Sequence, residues 1–120
     1  MYDAIIAGGS ISGLLTAREI AKKGNSVLVL EEGFEVGSPE HCGGLVSKSA
    51  LDDLGINPSV KSFDNKINSA KIFSPNGKNF TIDSKSQEII VVNRRELDKQ
   101  VARQAKDNGA EIIVKASFKN

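Results

Sequence analysis

Hydrophobic positions open the chain in a stretch too short for a helix: residues Tyr2 to Ala7 read YDAIIA and run straight into Gly8-Gly9-Ser10. The predicted element is a strand ended by a glycine turn. Past that turn, Leu14, Leu15, Ala17, Ile20 and Ala21 recur at helical spacing, and Gly24 stands where a helix stop belongs. Val27 to Leu30 is apolar at every position, as an inner strand of a parallel sheet must be when helices cover both faces. Strand, glycine turn, helix and strand compose one βαβ unit.

The next stretch, Glu31 to Ser47, is rich in Gly, Ser and Glu and has neither period, so it reads as a long, ordered loop that a ligand helps to fix. Ala50 to Leu54 predicts a short helix stopped by Gly55, with Ser47 and Ser49 as its caps. Ile67 to Ser74 and Asn79 to Asp83 predict two strands joined around Asn76-Gly77, a strong hairpin signal, and Ile89 to Val92 predicts a third. Together these place a β-hairpin or meander insertion at about residues 60–92. Asn93 can cap a following helix with Glu96 completing a capping box and Leu97, Val101 and Ala105 on the apolar face. Gly109 ends that helix, and Glu111 to Ala116 supplies another strand. The predicted class is α/β, a Rossmann-like, doubly wound dinucleotide-binding domain over residues 1–120. Such sheets usually carry more strands, so the chain reads as the amino-terminal part of a larger domain.

Composition narrows the function. With 120 residues, 39% hydrophobic and 26% charged, the chain matches one ordinary globular domain. Sixteen basic and 15 acidic residues nearly cancel, leaving a net charge of +1 and no global field to steer nucleic acid, which is set aside as a partner. The lone cysteine, Cys42, excludes an internal disulfide, and no set of Cys and His has zinc-like spacing, so no metal is expected and a reducing, cytoplasmic setting is. Met1-Tyr2-Asp3 lacks the basic start of a signal peptide. No run approaches the roughly 20 apolar residues of a transmembrane helix, so any membrane contact is peripheral or lies outside this chain.

The glycine turn carries the first chemistry. In a dinucleotide fingerprint the first glycine makes the tight turn, the second admits the pyrophosphate, and the third packs helix against strand. Gly8, Ser10 and Gly13 occupy these positions, and Ser10 departs from the pattern, with Gly9 beside it compensating in part. Amides at Ile11, Ser12 and Gly13 would meet the pyrophosphate with the positive end of the helix dipole. Glu31, with Glu32 beside it, ends the second strand where a carboxylate accepts hydrogen bonds from ribose hydroxyls and repels a ribose phosphate. NAD or FAD is therefore expected over NADP.

Two further segments choose between these cofactors. Gly37-Ser38-Pro39-Glu40-His41-Cys42-Gly43-Gly44-Leu45 resembles the Gly-x-Pro-x-x-Cys-Gly loop of the geranylgeranyl reductase family of FAD enzymes, often archaeal. Asn93-Arg94-Arg95-Glu96-Leu97-Asp98 resembles that family's Arg-x-x-Phe-Asp helix, with Leu97 in place of the Phe. The resemblance implies a glutathione-reductase-type FAD domain in which Cys42, Gly43, Gly44 and Leu45 pass near the flavin and Arg94 contacts FAD. It also implies reduction of isoprenoid double bonds in lipids or pigment side chains by hydride from reduced flavin. A prenyl lipid is the implied substrate, and the electron donor is left open.

Plainer roles stand beside these. Cys42, the one candidate for a catalytic side chain, would equally serve as a small residue packed in a loop. Arg94 and Arg95 would serve as solvated charges of a first helical turn, and Asp98 is expected to face solvent or to pair with Lys99 or Arg103. The competing functions are a flavin monooxygenase of the aromatic hydroxylase type and a truncated nucleotide-binding module without catalysis.

Overall fold

The computed structural model describes residues 1–85 and 87–119, and its contacts divide the chain into two units, Met1–His41 with Arg94–Asn120, and Cys42–Asn93.

In the first unit β1 (Ala4–Ala7), β2 (Val27–Leu30) and β8 (Glu111–Ile113) form a parallel sheet in the order β1-β2-β8. Ala4 to Ala7 pair with Val27 to Leu30, and Leu28 to Leu30 pair with Glu111 to Ile113. Helix α1 (Ile11–Lys22) links β1 to β2, and α3 (Arg94–Asp107) precedes β8. The centre of the sheet follows from VLVL: Val27 and Val29 are fully buried against Ala17 and Ala21 of α1 and Ala105 of α3. Alanines at these positions let the two helices approach closely. Between them Arg18, 5% exposed, donates from Nη1 to Gln104 Oε1 at 2.7 Å and from Nε to Glu19 Oε1 at 2.9 Å, so the buried cation is paired at both ends.

Strand β8 ends at Ile113, short of the expected Ala116. Lys115 turns to φ 55, after which the Ala116 amide donates to Glu31 O at 2.9 Å, so pairing with the stretch after β2 resumes beyond an irregular step.

The second unit contains β3 (Leu45–Ser47), α2 (Lys48–Asp53), β4 (Phe63–Ile67), β5 (Ser69–Phe73), β6 (Asn79–Asp83) and β7 (Ile89–Val92). Strands β3 and β4 flank β7, both antiparallel to it, with an irregularity between Phe63 and Asn65. Ile90 and Val92 of β7 are buried, as are Leu51 of α2 and Ile56. Strands β5 and β6 form the hairpin expected at Asn76-Gly77, closed by Gly77 N–H to Ser74 O at 2.9 Å and Ser74 N–H to Lys78 O at 2.8 Å. The expected strand Ile67 to Ser74 is in fact divided at Asn68, because the chain leaves β7 there and enters the hairpin. Ser47 sits at the N-cap of α2 without capping it, since its hydroxyl bonds the Ser49 hydroxyl at 2.8 Å.

Candidate dinucleotide cradle

The turn between β1 and α1 is built from three constraints. Gly8 has φ +104, a conformation that residues with a Cβ rarely adopt, and its amide donates to Leu30 O at 2.8 Å, extending the β1–β2 ladder by one bond. Gly13 lies so close to the turn that a Cβ there would stand 2.2 Å from Gly8 O and 3.3 Å from Ile6 Cγ2. The third glycine is thus required by packing of α1 on β1. The ladder of α1 starts with Leu14 N–H to Ser10 O at 2.9 Å, so the amides of Ile11, Ser12 and Gly13 precede it at the positive end of the helix. Ser10, the departure from the glycine pattern, is exposed with its hydroxyl 3.2 Å from that of Ser12.

Glu31 follows β2 and reaches across to the turn. Its Oε2 accepts the Gly9 N–H at 2.6 Å and its Oε1 accepts the Gly33 N–H at 2.7 Å. One carboxylate therefore ties the turn after β1 to the loop after β2. A carboxylate has about four acceptor sites, so these two bonds leave capacity for hydroxyl donors. The absent side chain of Gly9 makes room for it, since a Cβ there would stand 2.9 Å from Glu31 Oε2. An open cleft of about 340 Å³ lies at the carboxyl ends of β1 and β2, lined by Ala7, Gly8, Leu30, Glu31, Glu32 and the segment Ala116 to Phe118. That is where ligands of open parallel sheets bind. The sequence does not mark the Ala116–Phe118 wall: Ala116 closes the expected strand, and Ser117 and Phe118 lie beyond it.

The loop after Glu31 is held by the protein itself. Val36 is buried, the Glu35 carboxylate pairs with Arg95 and, at 3.0 Å, with Lys99, and Gly37 packs on the Arg95 carbonyl. These cations hold the Glu35 carboxyl below the usual range, Lys99 acting most strongly. Arg94, the first residue of α3, donates from Nε to Asp98 Oδ1 at 3.2 Å. Asp98 is 6% exposed, which corrects the expectation of a solvent-facing side chain paired with Lys99 or Arg103. Burial is the main cause that raises its pKa, Arg94 opposes that rise, and the Glu40 carboxylate adds to it.

In the second unit Cys42 is exposed, and its Sγ accepts the Gly44 N–H at 3.4 Å. Gly44 is buried against β7, where a Cβ would stand 1.9 Å from Val92 O, so its lack of a side chain serves the sheet. Gly43 is exposed with nothing within 4 Å of its Cβ position, and Leu45 is 62% exposed.

A strand, glycine turn and helix, with a carboxylate at the end of the neighbouring strand, define a dinucleotide-binding fold of the kind found in FAD-dependent oxidoreductases. The same architecture recurs in a geranylgeranyl bacteriochlorophyll reductase-like protein from Thermoplasma acidophilum, with a TM-score of 0.88 and 31% identity, covering 99% of this chain and 32% of that one. Digeranylgeranylglycerophospholipid reductase 2 of Methanothermobacter thermautotrophicus is 31% identical over 112 residues, 93% of this chain and 29% of that protein. The digeranylgeranylglycerophospholipid reductase of Thermoplasma volcanium is 34% identical over 119 residues, 96% of this chain and 30% of that protein. A myxobacterial FAD-dependent halogenase shares the fold at a TM-score of 0.75 and 17% identity. No family model matches the chain. Similarity to these proteins over nearly the whole of this chain supports the geranylgeranyl reductase family, and the chain spans about three tenths of the length of the relatives it matches. Among the described residues no helix is long and apolar enough to cross a membrane.

Proposed function

We propose that this chain forms the adenosine diphosphate cradle and part of the flavin-facing loop of an FAD-dependent reductase of isoprenoid double bonds. The observation that carries the reading is the cleft at the ends of β1 and β2, walled by Gly8, Glu31 and Glu32, beside the amides that start α1. The amides of Ile11, Ser12 and Gly13 meet the pyrophosphate, for which charge and dipole are complementary. Glu31 accepts the adenosine ribose hydroxyls while keeping its bonds to Gly9 and Gly33. Ser10 stands beside the phosphates with an exposed hydroxyl, and Glu32 edges the cleft.

Arg94 contacts FAD from the start of α3, and the loop Cys42 to Leu45 passes near the flavin, as the family resemblance implies. Exposure of Cys42, Gly43 and Leu45 supports that assignment, whereas Gly44 is already explained by β7. Reduced FAD, when bound, supplies the hydride for alkene saturation. The substrate is a prenyl lipid, in keeping with relatives named for digeranylgeranylglycerophospholipid.

The test is titration of the chain with ADP and with its 2′-phosphorylated counterpart. Wild type is expected to prefer ADP. Glu31→Ala should weaken ADP binding roughly 10- to 100-fold, because about 1.5–3 kcal/mol of charge-assisted hydrogen bonding is lost and the turn is untied from the loop. Glu31→Arg should reverse or erase the preference. Equal affinity for both ligands in wild type, or an unchanged ADP affinity in Glu31→Ala, would remove Glu31 from the site.

A further inference from the structure

Buried polar side chains on the described residues are Arg18, Ser62 and Asp98, and two of them have structural explanations. Arg18 joins α1 to α3 through Gln104, and the Ser62 hydroxyl bonds the Ser59 hydroxyl at 2.9 Å. Asp98 differs. It is a carboxylate, 6% exposed on the packed side of α3, with Glu40 adding a second negative charge and Arg94 as its cation. For folding alone an uncharged side chain would be less costly there, since replacing a buried ion pair by groups of similar shape is often neutral or stabilising.

The geometry points to a reason in Arg94. Arginine has a long, flexible side chain, and a free guanidinium loses that freedom when it meets a ligand. Asp98 lies one helical turn beyond Arg94, the spacing at which side chains meet on one face. The bond runs through Nε at 3.2 Å, so the carboxylate fixes the direction in which the planar guanidinium is presented.

We propose that Asp98 is a positioning residue that orders the Arg94 guanidinium in advance for FAD, and so sets cofactor affinity without touching the cofactor. This rests on the assignment of Arg94 to the FAD site made above.

Three variants test it in the 120-residue chain: Asp98→Asn, Arg94→Ala and the double variant, each titrated with FAD by quenching of flavin fluorescence and each followed through thermal unfolding. Asp98→Asn should weaken FAD binding about tenfold, while its melting temperature at pH 7 stays equal to that of wild type or rises. The sign follows from the raised pKa. Folding disfavours the ionised form, so the contribution of Asp98 to stability is greatest below its unfolded pKa and declines as pH rises toward its folded one. The melting-temperature difference, Asp98→Asn minus wild type, should therefore grow between pH 3 and pH 7, under the influence of Arg94 and Glu40, the charged groups that act on this carboxyl.

Arg94→Ala should weaken FAD binding at least as much, and the double variant should bind no more weakly than Arg94→Ala alone. Additive losses in the double variant would make Asp98 a general structural residue and overturn the inference. So would wild-type FAD affinity in Asp98→Asn when Arg94→Ala is impaired. If Arg94→Ala or wild type itself shows no arginine-dependent FAD binding, the assignment of Arg94 to the site fails, and the inference falls with it.

Discussion

Gly13→Val is expected to abolish detectable binding of ADP and FAD and to lower the melting temperature by several degrees. A Cβ at this position would stand 2.2 Å from Gly8 O, a separation that real Cβ atoms do not tolerate. The obstructing atom is backbone, so it cannot swing aside as a flexible side chain would. Relief requires α1 to move away from β1, which disturbs Gly8, the Ile11–Gly13 amides and the contact with Ile6 together. Overpacking of this kind costs about 1–3 kcal/mol, and each kcal/mol lowers the melting temperature of a domain this size by roughly 3–6 °C. Ser10→Gly is the control. Its exposed side chain bonds only the Ser12 hydroxyl in the cradle, so melting should be unchanged and ADP affinity unchanged or improved. Titration of both variants with ADP decides, and a Gly13→Val chain that binds ADP like wild type would show that the helix start is not the phosphate site.

Gly44→Ala is expected to be the most destabilising single methyl in the second unit. Its φ of +73 costs an alanine about 1–2 kcal/mol, and the added Cβ would stand 1.9 Å from Val92 O and 3.0 Å from Val92 C. The Val92 amide donates to Gly44 O at 2.8 Å, so the two backbones are already fastened together and neither can retreat without breaking that bond. A total loss of about 3 kcal/mol or more follows. Gly43→Ala, one residue earlier, meets nothing within 4 Å and should change stability by less than about 0.5 kcal/mol. Urea unfolding of the two variants separates a sheet requirement at Gly44 from open space at Gly43, and equal midpoints would contradict the packing described.

Much of the parallel unit was legible because its signals are local. The run YDAIIA into Gly8, the apolar spacing of α1, the uniformly apolar β2 and the Gly109 stop each report a single element, and the elements stand within a few residues of where they were read. The hairpin was legible for the same reason, since Asn76-Gly77 encodes its own turn. Strand β4, by contrast, reads FDNKI with four of five residues exposed, so neither alternation nor a hydrophobic run marks it. Strand β3 is three residues long and exists through its pairing with β7, which no local pattern records.

The site divides along the same line. Gly8, Gly13 and Glu31 were named from spacing alone, but the two amides that Glu31 accepts depend on how distant loops meet. For Gly44 the resemblance implies a place near the flavin, and the Val92 carbonyl against it is a second, structural reason for a glycine that no local pattern records. Asp98 was read as surface because charged residues usually are. The i, i+4 pairing with Arg94 was visible in the sequence and is the signal that could have revealed it.

Equilibrium dialysis of the chain against FAD, with and without excess ADP, tests the central claim most directly. Assignment of the cradle to the adenosine diphosphate half of FAD predicts saturable binding of one FAD per chain, displaced by ADP because both ligands occupy the cleft bounded by Gly8, Glu31 and the start of α1. Failure of the chain to retain FAD at any concentration, or retention of FAD that excess ADP leaves in place, would contradict it.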